Sequence, residues 1–407
     1  MPNVFSNPDM VGAKSLLFFN NALQAAKHVD RQWESKFGIE GAKIGDSLRL
    51  RRANNATVTV GNAFTSENIE ERTRTLVIDT PLQAGFTMDN ADMALTVDLF
   101  EERYAIPRTR ALANYIDRWL LQLVRQVPNA TGTYNTAPTA LANFQAPLTR
   151  LRDFGVPDDI EDMLFIMSPG EEEVAVRVLS GLFESGPRLK EQYEKGEMRQ
   201  ALGVRWLRSQ NVYTHTTGLL GGAANALIAG AGQTGSALNI DGVTGGQAPW
   251  SRAGDMFTYT GGNAVNPITG VDLGFLRQFA VTADTNSAAG GAVTLAIEPE
   301  IVTSGANQTV SAGPANDAVV TFFDTTGEVV ARQPLLMHRN AFALAIAAEP
   351  AVKGVHASSM KTAEDAPVGI RYVCWWDGDL NVFKFRYDVL CGRLAQNPGF
   401  ACRLHTS

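Results

Sequence analysis

Apolar residues recur at helical spacing in two long segments of the chain. Residues 14–36 place five apolar side chains on one face, which predicts a single amphipathic N-terminal helix: Leu16, Phe19, Leu23, Ala26 and Trp33. Residues 98–127 show the pattern more clearly, and Pro107 would either start the regular part of that helix or kink it. Its apolar face contains Leu112, Ile116, Trp119, Leu123 and Val127, and its polar side contains Arg108, Arg118 and Arg125. A rod of roughly 30 Å is typical of a structural spine.

Between these helices the period changes to the alternation that is typical of strands. Residues 44–60 and 73–79 form two such limbs, which together predict a long hairpin. Charges are segregated between the limbs, with three arginines on the first and three glutamates leading into the second: Arg49, Arg51, Arg52, Glu67, Glu70 and Glu71. A solvated hairpin fits this pattern, and so does an arm that pairs with oppositely charged neighbours.

Further elements are predicted after the second helix. Residues 163–167 indicate a buried strand, and the sequence Ser-Pro-Gly-Glu at 168–171 predicts an N-cap with proline in the first helical turn. Residues 184–200 are dense in mixed charge and indicate an exposed helix or loop. Three later runs are strand-like: 341–346, 370–376 and 383–390.

Composition sets residues 217–333 apart from the rest of the chain. These 117 residues contain 19 of the 37 glycines, no Lys, His or Cys, and nine acidic residues against three Arg. Such a block, with short β-branched runs, indicates a separate domain inserted into a host domain. Four strand-like runs predict that it is a small antiparallel barrel or sandwich: 256–259, 275–282, 293–297 and 319–323.

The charge and cysteine content narrow the class of protein. A net charge of -7 and a pI near 5.4 argue against a dedicated nucleic-acid binder, which normally has a positive excess. Three widely spaced cysteines do not form a disulfide framework, which suits a reducing cytoplasm. We expect neither an export signal nor a membrane span, since even the long uncharged stretch 209–240 is interrupted by polar residues.

One nucleotide-binding pattern is present but lacks its context. Residues 230–235 match the dinucleotide fingerprint GxGxxG, and Asp255 follows 20 residues after the last glycine. That fingerprint requires a helix whose N-terminus faces the pyrophosphate. Residues 236–246 contain glycine, asparagine and aspartate that disfavour a helix, so we predict a loop.

Other chemistry-bearing residues also favour structural explanations. The five histidines are dispersed, without the spacing of a zinc site. Cys374, Cys391 and Cys402 are expected to be buried thiols. A solvated turn explains the acidic group better than a divalent-cation site does: Asp158, Asp159, Glu161 and Asp162. We therefore predict no catalytic residue, cofactor or metal.

Six segments together resemble one protein family. They are IGDSLRLRR at 44–52, ALANYID at 111–117, AGDMF at 253–257, GGNAVNP at 261–267, MHRNAF at 337–342 and RYDVLCG at 386–392. In this order they resemble the major coat proteins of short-tailed bacteriophages, the branch of HK97-like capsid proteins that has an inserted β-barrel domain. The resemblance extends over most of the chain.

The resemblance implies an α+β, HK97-like fold and a role for each region. The implied parts are an N-terminal arm (1–43), an extended loop (44–90), the spine-helix region of the peripheral domain (91–127), further peripheral and axial structure (128–216), the inserted antiparallel β-barrel (217–333), an axial return (334–380) and C-terminal peripheral strands (381–407).

The resemblance also implies an assembly function. A coat subunit would form hexamers and pentamers with a scaffolding protein and a portal in the host cytoplasm. The resulting virion shell would enclose double-stranded DNA and contact it non-specifically. Arg49, Arg51 and Arg52 would then be candidates for ion pairs between subunits, with the three glutamates as partners. Some relatives lock the shell by a lysine-asparagine isopeptide bond from the extended loop, but lysine is absent from residues 44–189.

Three rival functions were considered from the sequence. A tail or decoration protein would not need the spine helix and long arm. A surface adhesin with a glycan-binding insert would need an export signal. An enzyme whose insert is a substrate lid would need a convergent polar site, which these residues do not form.

Overall fold

The computed structural model describes residues 8–31, 47–52, 55–56, 62, 71–89, 101–157, 159, 161–180, 200–347, 349–350, 352–355, 357–362 and 369–406. Several predictions lie outside these ranges: Trp33, residues 57–60, Glu67, Glu70, residues 98–100, Asp158 and residues 184–199.

Within these ranges the chain forms four α-helices and 23 strands. The helices are α1 (Pro8–Ala22), α2 (Ile106–Leu121), α3 (Leu141–Asp153) and α4 (Pro169–Ser180). The first twelve strands are β1 (Ser47–Arg51), β2 (Thr73–Val77), β3 (Thr80–Asp89), β4 (Asn129–Gly132), β5 (Met163–Met167), β6 (Gln200–Ala201), β7 (Val204–Arg208), β8 (Thr214–Thr216), β9 (Leu227–Ile228), β10 (Gly235–Asp241), β11 (Met256–Tyr259) and β12 (Asn263–Val265). The others are β13 (Asp272–Leu276), β14 (Phe279–Val281), β15 (Val293–Ile301), β16 (Val320–Phe322), β17 (Val330–Arg332), β18 (Leu335–His338), β19 (Ala343–Ala347), β20 (Ala357–Thr362), β21 (Gly369–Asp377), β22 (Val382–Leu394) and β23 (Ala401–His405).

The chain divides into two compact units. Unit 1 comprises Met1–Leu50, Arg74–Leu120 and Phe342–Leu394, and unit 2 comprises Arg51–Thr73, Leu121–Ala341 and Ala395–Ser407. The whole of β22 lies in unit 1, and the chain that follows it, Ala395–Ser407, belongs to unit 2.

Unit 1 is built on the long strand β22. One edge of β22 pairs with β3 over ten residues, and its other edge pairs first with β21 and then with β19. The runs predicted at 341–346, 370–376 and 383–390 are confirmed as strands. Strand β3 was missed, since Pro81 and Gly85 interrupt its pattern, although a proline is tolerated near the start of a strand.

The base of the predicted hairpin also lies in unit 1. Strands β1 and β2 pair with each other, and they bury Leu50 and Leu76 in one cluster with Ala343 and Ala345 of β19. The two limbs are therefore fixed to the main sheet at their base by apolar contacts.

The N-terminal helix is shorter than predicted. Helix α1 ends at Ala22 and is followed by a 3-10 turn, Ala25–Lys27. The buried Asp117 of α2 accepts hydrogen bonds from the backbone N–H groups of Gln24 (2.8 Å) and Ala26 (2.9 Å). A carboxylate that binds these two donors replaces the carbonyl partners of a continuing helix, so the single helix over 14–36 was wrong.

The helix predicted over residues 98–127 is confirmed in its central part. A π-helical turn, Glu101–Ala105, precedes α2, and a 3-10 segment, Gln122–Gln126, follows it. Pro107 is the second residue of α2 and follows the π-helical turn directly, so its missing N–H removes one backbone donor from the helical stretch. Ile116 and Leu120 are fully buried, as the apolar face predicted. Arg108 is not on the solvent side, because its guanidinium packs over the Phe86 ring at 4.7 Å.

The host part of unit 2 contains a six-stranded sheet in the order β4-β23-β18-β5-β7-β6. Strand β5 is buried along its whole length, as predicted. Helix α4 begins with the predicted N-cap: the Ser168 N–H donates to Glu171 Oε2 (2.8 Å), while the Glu171 N–H faces Ser168 Oγ at 3.5 Å. This reciprocal capping fixes the turn between β5 and α4.

The segment 217–333 forms a second six-stranded sheet in the order β16-β11-β14-β15-β10-β9. Its two end strands are also joined, because the N–H of Ile228 donates to the Ala318 carbonyl (3.0 Å) and the N–H of Val320 donates to the Ala226 carbonyl (2.9 Å). Aromatic side chains fill its core: Trp250, Phe257, Tyr259, Phe279 and Phe322.

Three of the strands predicted in this segment are confirmed, as β11, β15 and β16. The run 275–282 is wrong as one strand, because it is divided between β13 and β14 at Arg277 and Gln278. Strand β10 begins at Gly235, the last glycine of the GxGxxG sequence. A strand in place of a helix leaves no helix N-terminus for a pyrophosphate.

Asp117 makes the stability of unit 1 depend on pH. Burial raises the pKa of Asp117 to about 6 despite its backbone hydrogen bonds. The folded state then binds more protons than the unfolded state between pH 3.8 and about 6, so this group favours folding at low pH and the effect is lost as the pH rises. We expect the stability of the native protein relative to Asp117→Asn to fall by about 2 kcal/mol between pH 4.5 and pH 8.

Urea unfolding of both proteins at the two pH values would measure this difference. A constant difference between them, or a native protein that gains on the variant as the pH rises, would contradict the assignment.

Candidate functional site

The chain enters and leaves the segment 217–333 through two adjacent strands, β8 and β17, which pair antiparallel. Beyond them the Thr217 N–H donates to the Val329 carbonyl (3.0 Å), and the Gln333 N–H donates to the Tyr213 carbonyl (2.9 Å). We call this strand pair the neck. The boundaries predicted from composition, Thr217 and Gln333, are the residues that directly follow β8 and β17. Because the two ends of the segment are neighbours, it can occupy one connection of the host without displacing other strands.

A buried histidine-aspartate pair lies at the neck. His215 Nε2 of β8 is 2.8 Å from Asp255 Oδ1, and both side chains are buried. The other carboxylate oxygen, Oδ2, accepts from the N–H groups of Gly218 (3.2 Å) and Arg252 (2.8 Å) and from Ser251 Oγ (3.0 Å). Asp255 therefore fixes the turn before β11 to the entering strand.

Arg403 of β23 lies at the centre of this junction and is fully buried. Its Nε and Nη2 both donate to the Val127 carbonyl (3.0 and 2.7 Å), and its Nη1 donates to the Gly254 carbonyl (2.7 Å) and to Gln333 Oε1 (3.1 Å). Burial lowers the pKa of Arg403, and nearby acidic groups oppose that effect. The side chain of Arg403 thus joins Val127 of the host to Gly254 and Gln333 of the segment 217–333.

His405, two residues further along β23, is a neutral packing group. Burial lowers its pKa well below the usual value, and Arg403 and His215 lower it further. Its ring packs against Tyr134 of the host, at 4.1 Å between centroids, and against Phe323 of the inserted segment at 6.0 Å. The uncharged imidazole adds an apolar contact beside the polar contacts of Arg403.

A second contact joins the hairpin of β12 and β13 to the end of α3. The rings of Phe275 and Phe154 meet edge to face at 6.1 Å. The guanidinium of Arg150 lies over Phe275 at 4.1 Å, and that of Arg277 lies over Phe154 at 4.4 Å. Burial, and then Arg150, lowers the pKa of Arg277 to about 9. These cation–π contacts stabilise guanidinium groups that have lost much of their water.

The tip of this hairpin fits closely against a host turn. The Asn266 side-chain amide donates to the Asp153 carbonyl at 2.8 Å. Gly155 has φ +67°, and a Cβ atom there would lie 2.4 Å from the Ile268 side chain. Glycine at 155 is therefore required both by the backbone and by the approach of the hairpin.

A third contact extends the host sheet. Gln278 Oε1 accepts from the Ala130 N–H (2.8 Å), and Gln278 Nε2 donates to the Ala130 carbonyl (3.0 Å). Ala130 belongs to β4, the end strand of the host sheet. The glutamine amide thus pairs with the edge of β4 as a neighbouring strand would.

Buried charges of opposite sign cancel within the inserted segment. Asp255 and Arg277 are both buried at the junction. The remaining eight acidic residues and two arginines leave a charge of -6 on partly or fully exposed positions: Asp241, Asp272, Asp284, Glu298, Glu300, Asp317, Asp324, Glu328, Arg252 and Arg332.

The three arginines predicted to bind neighbouring subunits differ in their surroundings. Arg49 is exposed. Arg51 makes an ion pair with Glu71 at 3.4 Å, in which both side chains stay more than half exposed. Arg52 Nε donates to Asn397 Oδ1 at 2.7 Å, so Arg52 has a contact within unit 2. The structure pairs Arg51 with Glu71 within one chain, and pairing between subunits stays a prediction.

The other candidate residues have structural roles. The three cysteines are buried and unpaired, and burial raises their pKa values to about 11 (Cys374) and about 12 (Cys391, Cys402). Asp159 and Asp162 belong to a turn before β5. Among the described residues no group of His, Cys, Asp and Glu could hold a metal ion. No described helix is long and apolar enough to span a membrane.

Comparison with known proteins decides the family. A family profile described as "P22 coat protein - gene protein 5" matches residues 112–402. The chain belongs to the P22 coat protein family. It is a structural major capsid protein of a tailed bacteriophage, as the sequence resemblance implied. This membership indicates a structural role in a homo-oligomeric virion capsid rather than an enzymatic one.

Solved structures of low sequence identity are also similar. A structure from Mycobacterium phage Che8 matches with 12% identity and a TM-score of 0.44, covering 93% of this chain and 89% of that one. The mature capsid of bacteriophage PhiM1 matches with 12% identity and a TM-score of 0.42, covering 90% and 83%. The CUS-3 coat protein I-domain matches with 23% identity and a TM-score of 0.18, covering 24% of this chain and 95% of that one. No curated protein sequence matches the chain significantly.

The junction residues were missed by sequence reasoning. Arg403 lies in an otherwise apolar run at 401–404, and an arginine inside such a run is the one signal that could have drawn attention to it. Gln278 gave no signal, because a glutamine at the break of a strand pattern is indistinguishable from a turn residue.

Arg403→Met should weaken the junction strongly. Methionine keeps much of the volume but leaves the Val127 and Gly254 carbonyls and Gln333 Oε1 without their donor. Because buried unpaired acceptors are costly, we expect a loss of about 3 kcal/mol or more. Urea unfolding followed by circular dichroism, with limited proteolysis of the neck, would measure it. Arg332→Met, at an exposed arginine of β17, is the matched control and should change stability little.

Proposed function

We propose that this coat protein forms, with a scaffolding protein, an icosahedral HK97-like shell of hexamers and pentamers around double-stranded DNA. The shell would be assembled in the host cytoplasm and would include a portal. In this proposal residues 1–43 are the N-terminal arm, 44–90 the extended loop and 91–127 the spine region. Residues 128–216 and 334–407 then supply the rest of the peripheral and axial domains.

We further propose that residues 217–333 are an inserted β-barrel that braces the subunit and faces solvent. The observation that supports this most directly is the junction around Arg403, where the host and the segment share one buried hydrogen-bond network. Hydrogen bonds between the two ends of the six-stranded sheet support the barrel. The -6 charge at exposed positions supports an outward location, where it would not oppose the DNA.

Expression with and without the scaffolding protein of the same phage, followed by negative-stain electron microscopy, tests this function. Closed shells of uniform size that need the scaffolding protein are the expected result. Loose aggregates, or tubes and sheets in both samples, would contradict it. Antibody or biotin labelling of intact shells at the insert would test its outward location.

Arg49 and Arg51 are the better test of pairing between subunits, since Arg52 also supports the fold through Asn397. We expect Arg49→Glu/Arg51→Glu to reduce shell yield several-fold while changing stability by less than about 1 kcal/mol, because the exposed Arg51–Glu71 pair contributes little. Arg51→Glu/Arg52→Glu should impair assembly too, but with a larger loss of stability.

Arg177→Glu is the matched control, because Arg177 also makes an exposed ion pair, with Glu173 at 3.1 Å. Shell yield is measured by sedimentation and stability by urea unfolding. Normal shells from the Arg49/Arg51 variant, or an equal defect in the control, would refute the pairing.

The shell should be held together without covalent links through the extended loop. Lysine is absent from residues 44–189, so the loop has no amine for an isopeptide bond. We expect boiled shells to migrate as a single band of 43.9 kDa on a denaturing gel. A ladder of linked oligomers would refute this expectation.

A further inference from the structure

Exposed arginines lie along one face of the spine helix. Arg103, in the π-helical turn before α2, and Arg110 and Arg118 in α2 are all exposed. Their spacing of seven and then eight residues keeps them on the same side of a helix. Ala111 and Asn114 are exposed between them. We call Arg103, Arg110 and Arg118 the arginine face.

Helix α2 offers these charges no exposed acidic counterpart, whereas Glu101 and Glu102 precede Arg103 in the π-helical turn. Between residues 103 and 118 the only acidic residue is Asp117, which is buried and binds the N-terminal segment. None of the three arginines makes an ion pair or hydrogen bond with a residue in the described ranges. The arginine face therefore presents three exposed positive charges, and those of Arg110 and Arg118 have no exposed carboxylate on α2, although the whole chain has a net charge of -7.

The geometry of the face suits a repeating anion. Eight residues of α-helix span about 12 Å, so Arg110 and Arg118 can reach different phosphates of a duplex, which has one charge per ~1.7 Å of axis. A guanidinium binds phosphate through two parallel N–H groups. The helix fixes the backbone positions from which these side chains extend, so that only side-chain rotamer entropy is lost on binding.

A protein partner fits the face less well. The core of a protein interface normally combines an apolar centre with aromatic and arginine side chains. Between the arginines the face has only small or polar exposed residues, and the half-exposed Tyr115 lies to one side. The face thus has the cations of a polyanion contact without the apolar centre of a protein contact.

We propose that the arginine face is the surface through which the subunit contacts the phosphate backbone of packaged double-stranded DNA, without sequence readout. This inference rests on the proposed role as a shell around DNA and assigns that contact to three named residues. Each subunit would neutralise at most three phosphates, and the many copies in a shell would multiply a weak contact.

The test compares the full-length protein with Arg103→Gln/Arg110→Gln/Arg118→Gln. The control is Arg177→Gln/Arg205→Gln/Arg339→Gln, which makes the same change of charge at exposed arginines of unit 2. Fluorescence anisotropy of a labelled duplex of random sequence is measured over a series of salt concentrations. Three phosphate contacts predict a slope of log K against log salt near about -2.7 for the native and control proteins. The arginine-face variant should bind about tenfold or more weakly at low salt, with a slope near zero.

Shell formation with the scaffolding protein is measured on the same proteins by electron microscopy. Normal shells from the arginine-face variant, together with lost DNA binding, support the inference. Three results overturn it: the native and variant proteins bind DNA equally, the control variant loses as much DNA binding as the arginine-face variant, or the native protein does not bind DNA. Normal DNA binding with failed assembly in the variant also overturns it and indicates an acidic protein partner. Failure of the native protein to form shells contradicts the proposed function instead, and the DNA comparison still decides what the arginine face binds.

Discussion

The arrangement of unit 2 depends on the burial of one guanidinium. Removing Arg403 from water costs several kcal/mol unless its donors are satisfied. The acceptors come from three segments that are distant in sequence: Val127 after the 3-10 segment, Gly254 within residues 217–333, and Gln333 at the C-terminal end of that range. No two of these segments alone can satisfy the group. The buried charge therefore favours the complete junction over any partly docked arrangement.

This dependence explains how an insert of 117 residues becomes part of its host. The neck brings the two ends of the insert together, and Asp255 fixes the first turn beyond it. The hairpin of β12 and β13 then adds Ala264 to the apolar core that surrounds α3. Because the host core and the insert share side chains, unfolding one exposes apolar surface of the other. This shared core supports the proposed bracing of the subunit by residues 217–333.

Local signals in the sequence were sufficient for some elements and insufficient for others. Strand β5 and the Ser168–Glu171 cap were predictable because an apolar run and a capping pair act within a few residues. The end of α1 was not predictable from local sequence. The acceptor that replaces the helix carbonyls is the carboxylate of Asp117, more than 90 residues away. The family was predictable because its motifs are spread along the chain in order. The junction around Arg403 was not predictable, because its hydrogen-bond partners are distant in sequence and meet only in the folded chain.

The distribution of charge is compatible with the proposed contact between an acidic subunit and packaged DNA. If the net charge of -7 were spread evenly over the subunit, the three arginines would lie in a negative electrostatic potential that repels phosphate. Six of those negative charges belong to the insert, so the other 290 residues have a charge of about -1. Screening at physiological salt weakens interactions between exposed charges beyond roughly 8 Å, so the charges nearest to the arginine face matter most. On α2 the single carboxylate, Asp117, is withdrawn from solvent by the N-terminal segment. The contact that ends α1 therefore also keeps the exposed side of the spine positive.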